Sequence, residues 1–432
     1  MTLSPKITAT FLNHASFAVL AGLLLFAPLA RGSVHGWAQA VIMAVAVVLA
    51  GLMIAERLLI GVPVRPKSVL DRPLLLLILI LIGSAFFSRY RPDSFEAFGL
   101  LACYAVIFSS TLNLLNSRER QRQIVYTLIA VAVILATIGL LKQFSPLEMS
   151  WWSYSHEKGK SFMMSGSYGN HNHLAGYLEM TIPLVLGLFL VRSRRGTAFL
   201  LLLYVSLYLI AAQILTLSRG GWMSLALALT VMAVILLVQK RYKRKKMLLL
   251  IIGGVVFGLI ITLTGTQIVE RILSLTEEET VVGLNGRMIA WRGTWQMIAD
   301  YPFWGTGPGT YATIFPQYQP VGMANRFFEA HNDYLQFVAE LGLLIIPAIF
   351  WLLFVLFGTA SRNLANPSRQ TWGITLGALS GFIAMLCHSI GDFNLHLPAN
   401  AIVCTVLVAL MIGRPKEPQS APGSVGGRGN QA

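Results

Sequence analysis

Residues 197–217, TAFLLLLYVSLYLIAAQILTL, run without a charge for about the 20 residues an α-helix needs to cross a bilayer core. Comparable runs recur at 12–30, 37–60, 69–87, 95–115, 124–143, 171–191, 220–239, 247–267, 335–358, 371–390 and 397–413. Backbone polar groups in hydrocarbon must be satisfied within their own segment, so the pattern predicts an all-α, polytopic integral membrane protein with about 12 transmembrane helices. Only 12% of the residues are charged, which agrees with a chain whose solvent is mostly lipid. The first run exceeds the apolar region of a signal peptide and only Lys6 precedes it, so it is read as a membrane helix.

Lys and Arg collect in cytoplasmic loops. With both termini inside, the inner loops hold Arg57, Arg65, Lys67 and Arg72, then Arg118, Arg120 and Arg122, then Arg192, Arg194 and Arg195, the run QKRYKRKK at 239–246, and Arg362 and Arg369. The net charge of +15 is therefore mainly topogenic, and these loops face anionic lipid headgroups rather than nucleic acid. Arg89, Arg91, Arg219, Arg287 and Arg292 fall on the outer side, where topology does not explain them. Cys103, Cys387 and Cys404 lie inside predicted spans, which leaves neither a disulfide framework nor a CxxC metal site.

The chain divides into an N-terminal bundle at 1–267 (spans 1–9), a large outer loop at 268–334, spans 10–12 at 335–413, and a cytoplasmic tail at 414–432 read as disordered. A second outer loop, 144–170, is rich in Trp, Tyr, Ser and Gly and reads as an interfacial aromatic belt. In the large loop, Met288, Trp291, Trp295 and Ile298 recur at helical spacing and YPFWGTGPGTY follows as a turn, which predicts an amphipathic helix on the outer surface and then a tight loop. GTGPG is followed by Thr310 and Tyr311 rather than Lys-Ser/Thr, and no strand precedes it, so a nucleotide loop is rejected.

Arg219, in LTLSRGGWMSL, stands between two apolar runs. A charge costs about 2.5 to 3.5 kcal/mol at the centre of a membrane helix and less near its end, so Arg219 is either a snorkelling anchor or part of a site. Gly220 and Gly221 let the chain turn and bring backbone N–H groups close, and Arg287 adds its charge to the positive end of the amphipathic helix. Two arginines on one outer face suit an anion with several oxygens. In EAHNDYLQFVAELGL, a helix starting near Asn332 puts Asn332, Gln336 and Glu340 on one face, turned into the bundle. His331 precedes that helix on the side away from Glu340, so no His–Glu dyad is expected. His331 either exchanges protons at a water-filled mouth or bonds a loop carbonyl, while Glu340 holds neighbouring polar groups in place. In CHSIGDFNLHLPAN, His388, Asp392 and His396 recur every four residues as metal ligands do, but Pro398 and the turn-like GDFN argue against one helix through all three. A polar cap lining the site is the preferred reading, with no metal. GNHNH at 169–173 is discounted in the same way, and EEE at 277–279 reads as a solvated face.

Together, LSRGGW, the GR-x3-W segment (Gly286, Arg287, Trp291) with YPFWGTGPGTY, HN-x2-L-x4-E-x-G (His331, Asn332, Leu335, Glu340, Gly342) and HSIGDFNLHLP resemble the O-antigen ligase and polysaccharide polymerase superfamily of bacterial inner membranes. The resemblance implies inverting glycosyl transfer on the periplasmic side, without nucleotide sugar or other cofactor, from an undecaprenyl diphosphate-linked glycan to an acceptor: lipid A-core, a growing glycan chain or a protein. It implies that Arg219 and Arg287 hold the diphosphate and that His331 acts at the attacking hydroxyl. Asn332, Gln336, Glu340, Arg292, His388 and Asp392 are expected to support the site, with Arg89 and Arg91 extending its cationic surface. Two other readings stay open: a transporter for a small anion or lipid-linked solute, and a structural role in a polysaccharide-export assembly.

Overall fold

The computed structural model describes residues 4–144, 163–191, 196–238, 253–254, 278–320, 326–366 and 368–415. Most of the predicted ninth span, the basic run at 239–246, the inner-loop arginines 192, 194 and 195, most of the aromatic loop at 144–170 and most of the tail lie outside them. Among the described residues every regular element is helical. Helices α1 (Pro5–Leu29), α2 (Gly36–Leu59), α3 (Asp71–Phe86), α4 (Arg91–Leu114), α5 (Arg118–Phe144), α6 (His171–Val191), α7 (Thr197–Leu215) and α8 (Arg219–Val238) precede α9 (Glu278–Asp300) and α10 (Asp333–Leu341). Helices α11 (Ile345–Leu364), α12 (Arg369–His388) and α13 (Pro398–Ile412) complete the bundle. Nine of these helices are long and apolar enough to cross a membrane; α3, with 16 residues, and α13, with 15, are shorter.

The bundle is built around α6 and α12, which are buried along most of their length and make its most extensive contact. The reason is a row of small residues. Gly373, Gly377 and Gly381 are spaced by four on α12 and lie against α6: a Cβ at Gly373 would stand 2.6 Å from the Gly187 carbonyl oxygen, and one at Gly377 would stand 2.6 Å from that of Pro183. In lipid, where apolar burial does not separate helix from solvent, such close backbone approach supplies dispersion contact that larger side chains prevent. Far from the loops discussed below, α1, α2, α4 and α5 are joined through Glu56, which accepts from Asn13 (2.9 Å) and Asn113 (2.7 Å), while Arg120 donates to Asn13 Oδ1 (3.2 Å). Buried polar atoms are satisfied here by one another.

The expected span at 335–358 is not continuous. Helix α10 stops at Leu341, Gly342 takes φ 79° and α11 starts at Ile345. The break follows from packing: a Cβ at Gly342 would overlap the backbone of Phe303, and the Leu343 N–H donates to the Pro302 carbonyl at 2.7 Å. Residues 335–341 therefore belong with the outer loop rather than with a membrane helix. Helix α10 packs on α9, sharing a small core of Ala290, Met297, Ile298, Tyr311, Ile314, Phe315, Ala330 and Ala339. In α9, Ile298 is buried and Trp291 packs on this core, whereas Met288 and Trp295 are exposed.

Candidate functional site

The glycine-rich turn is a strut. Gly305, Gly307 and Gly309 all have positive φ, and a Cβ at Gly307 would overlap Ser88 and Ser94. The Thr306 and Gly307 N–H groups donate to the carbonyls of Ala339 (3.0 Å) and Glu340 (2.9 Å). The buried Glu340 carboxylate accepts from the N–H of Gly309 (2.8 Å) and of Tyr311 (3.1 Å). Backbone donors that would cradle a phosphate in a nucleotide loop are thus spent on α10. On its other side the turn binds the end of α3, where Arg89 N–H donates to the Thr306 carbonyl (2.9 Å) and Ser84 Oγ to that of Glu340 (2.9 Å). Arg89 itself lies over the Tyr301 ring at 4.6 Å, and Arg91 is exposed at the start of α4. Because both Glu340 oxygens accept, Glu340→Gln must turn an NH2 group toward a backbone donor. An unsatisfied buried donor costs about 1–3 kcal/mol, so both Glu340→Gln and Glu340→Ala are expected to lower the thermal midpoint in detergent by several degrees. A wild-type midpoint for Gln would show that the strut does not depend on this carboxylate.

His331 sits at the entry to α10. Asn332 caps the helix, its side-chain oxygen accepting from the Leu335 N–H at 3.0 Å, a standard use of Asn that satisfies one of the free N-terminal donors. Immediately before the cap, His331 takes φ 50°, a left-handed conformation uncommon outside glycine. It is held there from both sides. Gln336, one turn into the helix, accepts from the Ala330 N–H (2.9 Å), and the Trp291 indole donates to the Ala330 carbonyl (3.0 Å). Gln336 also donates to Glu329, whose carboxyl is raised above the ordinary range, by burial first.

The His331 side chain is one-third exposed. Its ring packs edge-on against Phe393 at 5.0 Å, and Nδ1 stands 3.8 Å from Asp392 Oδ1, too long for a direct hydrogen bond. His173 packs edge-on against the same phenylalanine at 5.0 Å. Burial raises the Asp392 carboxyl, but the imidazoles of His331, His173 and His388 and the N–H of Phe393 outweigh it and hold the group below the ordinary carboxylate range. Asp392 is therefore an anion facing the His331 ring.

Arg219 is exposed at the first position of α8. Gly220 next to it lies against His388, whose ring would be 2.9 Å from a Cβ, and His388 Nδ1 stands 3.0 Å from both oxygens of Glu179 on α6. Four residues beyond His388 is Asp392, so Arg219, the Glu179–His388 pair and the Asp392–His331 pair form one connected region. Arg287 is half-exposed on α9. It lies four residues from Trp291 and hence on the same helix face, the one that reaches the carbonyl before His331. Among the described residues Arg287 has no hydrogen bond or ion pair. Arg292 is exposed on another face of α9.

The spacing of His388, Asp392 and His396 has a different meaning from metal ligation: the first pairs with Glu179, the second faces His331 and the third pairs with Asp333. Asp333 and Glu179 are the residues that sequence reasoning missed, and His173, in the discounted GNHNH, returns here through Phe393. A carboxylate at 179 in the middle of an apolar run was the available signal; for Asp333 only the fold supplies one.

Residues 204–350 match a family model described as O-Antigen ligase. The matched stretch contains Arg219, Arg287, His331 and Glu340 and supports the O-antigen ligase and polymerase family for this chain. His388 and Asp392 lie beyond it. Comparison with curated proteins gives no match.

Proposed function

We propose, with the O-antigen ligase match over residues 204–350 as premise, that this multi-pass membrane protein transfers a glycan from undecaprenyl diphosphate to an acceptor hydroxyl with inversion at the anomeric carbon. The active site faces the periplasm, both termini lie in the cytoplasm, and the bilayer is the bacterial inner membrane. The acceptor is lipid A-core in a ligase or a sugar chain in a polymerase. The observation that carries the reading is the His331–Asp392 arrangement: a partly exposed imidazole in a constrained backbone, with an ionised carboxylate 3.8 Å behind Nδ1.

In the proposed reaction the acceptor oxygen forms a bond to the anomeric carbon as the bond from that carbon to the phosphate oxygen breaks. The electron pair leaves with the lipid diphosphate, and Arg219 and Arg287 stabilise the charge that develops there. His331 accepts the hydroxyl proton through Nε2, the ring nitrogen turned away from Asp392, and Asp392 stabilises the resulting cation. Asn332, Gln336 and Glu340 keep the entry to α10 in register. His388 backs Arg219 through Gly220, and Arg292 adds positive charge on the outer surface.

The test is glycan transfer by purified protein in detergent, given undecaprenyl diphosphate-linked oligosaccharide and a panel of acceptors. Formation of a product, with free undecaprenyl diphosphate in equal amount, supports the reading and names the acceptor. Absence of product with every acceptor, together with solute flux in sealed vesicles, would assign the arginines to transport.

A further inference from the structure

We infer that Asp333 and His396 form a positioning pair that sets His331 opposite Asp392; the inference rests on the proposed transfer reaction. Asp333, the first residue of α10, is fully buried and bonds in four directions. Its N–H donates to the carbonyls of Ser389 (3.0 Å) and Asp392 (3.2 Å). Its carboxylate accepts from the Leu395 N–H (3.0 Å) and pairs with His396 Nδ1 at 2.5 Å. One turn further along α10, Phe337 stacks on the His396 ring at 4.7 Å. The segment between α12 and α13 is thereby fastened to α10 at both ends of one helical turn. His331 lies two residues before Asp333, and Asp392 lies in the fastened segment. Neither member of the pair is placed at the reacting atoms; the pair fixes the backbones that carry His331 and Asp392.

The electrostatics add a handle. Burial lowers the affinity of His396 for its proton, but Asp333, with Glu329 and Glu340 nearby, reverses this and raises the group to about 9. Phe337 brings no charge, and Cys404 on α13 is a buried thiol. His396 is thus a cation at neutral pH, paired with Asp333. A raised folded-state value means that the stability from this pair is full below the ordinary histidine range, near 6.5, and is lost as pH rises through about 9.

Transfer rates of wild type, Asp333→Asn, His396→Ala and His396→Asn, measured between pH 6 and 10, test the pair. A displacement of about 1 Å in a reacting group costs on the order of 10²-fold, so Asp333→Asn and His396→Ala should lose roughly 10- to 100-fold in kcat with little change in KM for the lipid-linked donor. His396→Asn, whose amide donates where Nδ1 did, should recover much of kcat. The wild-type thermal midpoint should fall between pH 7 and 9.5, and that of His396→Asn should stay flat over the same range. Wild-type protein that transfers nothing would overturn the proposed reaction and this inference with it. Active wild type with unchanged kcat in Asp333→Asn would overturn the pair alone. Should Asp333→Asn fail to fold, equal pH dependence of the midpoint in wild type and His396→Asn would overturn it.

Discussion

Arg287→Ala and Arg219→Ala are each expected to reduce transfer by about 10²- to 10³-fold, the loss typical when one fixed donor to a developing oxyanion is removed. The argument is one of charge in the transition state. When a sugar leaves a diphosphate, negative charge grows on the bridging oxygen, and interactions that strengthen during that growth lower the barrier. A guanidinium offers two parallel N–H donors in fixed geometry, so Lys at either position should restore charge but not the paired contact and recover only part of the rate. Arg287 makes no hydrogen bond or ion pair among the described residues, so its replacement breaks no bond among them and the thermal midpoint should barely move. Arg292→Ala, on another exposed face of α9, should cost less than about threefold, in keeping with an exposed charge in high dielectric. Initial rates at saturating acceptor decide the matter. Equal losses for Arg287 and Arg292 would mean that general positive potential, rather than a diphosphate contact, is at work.

How much of this arrangement the sequence makes legible depends on the distance over which each feature is determined. The apolar runs are local, and the helices appear where the runs are, among the described residues. The Asn332 cap and the common face of Asn332, Gln336 and Glu340 are also local, since helix periodicity alone determines them. The interruption at Gly342 is not. VAELGLLIIP reads as one apolar run, and it breaks because Phe303, 39 positions earlier, brings its backbone against that glycine. Which face of α9 packs inward is set at long range too: Met288 and Trp295 are exposed, while Ala290, Gly293, Thr294 and Met297 are the small or slender residues that fit under Phe315 and α10. His396 shows the limit most clearly. Its spacing from Asp392 and His388 suggests joint ligation, whereas its partner Asp333 is 63 positions away and is reached only through the turn between α12 and α13.

The second large effect concerns the helix pair beneath the site. Gly377→Leu is expected to abolish accumulation of monodisperse protein. Any Cβ at position 377 would stand 2.6 Å from the Pro183 oxygen and 2.7 Å from the Leu184 Cα. These are backbone atoms of the most deeply buried helix in the bundle, and no rotamer change moves them. Overpacking a core usually costs about 1–3 kcal/mol when side chains can shift; here α6 and α12 must separate, and the cost should exceed that range. The damage extends to chemistry because the same contact aligns Glu179 on α6 with His388 on α12, and His388 with Gly220 beside Arg219. Gly377→Ala, a milder insult, should therefore leave some folded protein with a lower midpoint and with transfer reduced beyond what its folded fraction explains. Gly358→Leu is the matched control, since nothing lies within 4 Å of a Cβ there, and leucine is the better helix former by about 1 kcal/mol. Wild-type yield and midpoint for Gly377→Leu would refute close α6–α12 contact. A lowered midpoint with a proportionate loss of transfer in Gly377→Ala would instead confine the contact to stability, leaving Arg219 to be positioned by α8 alone.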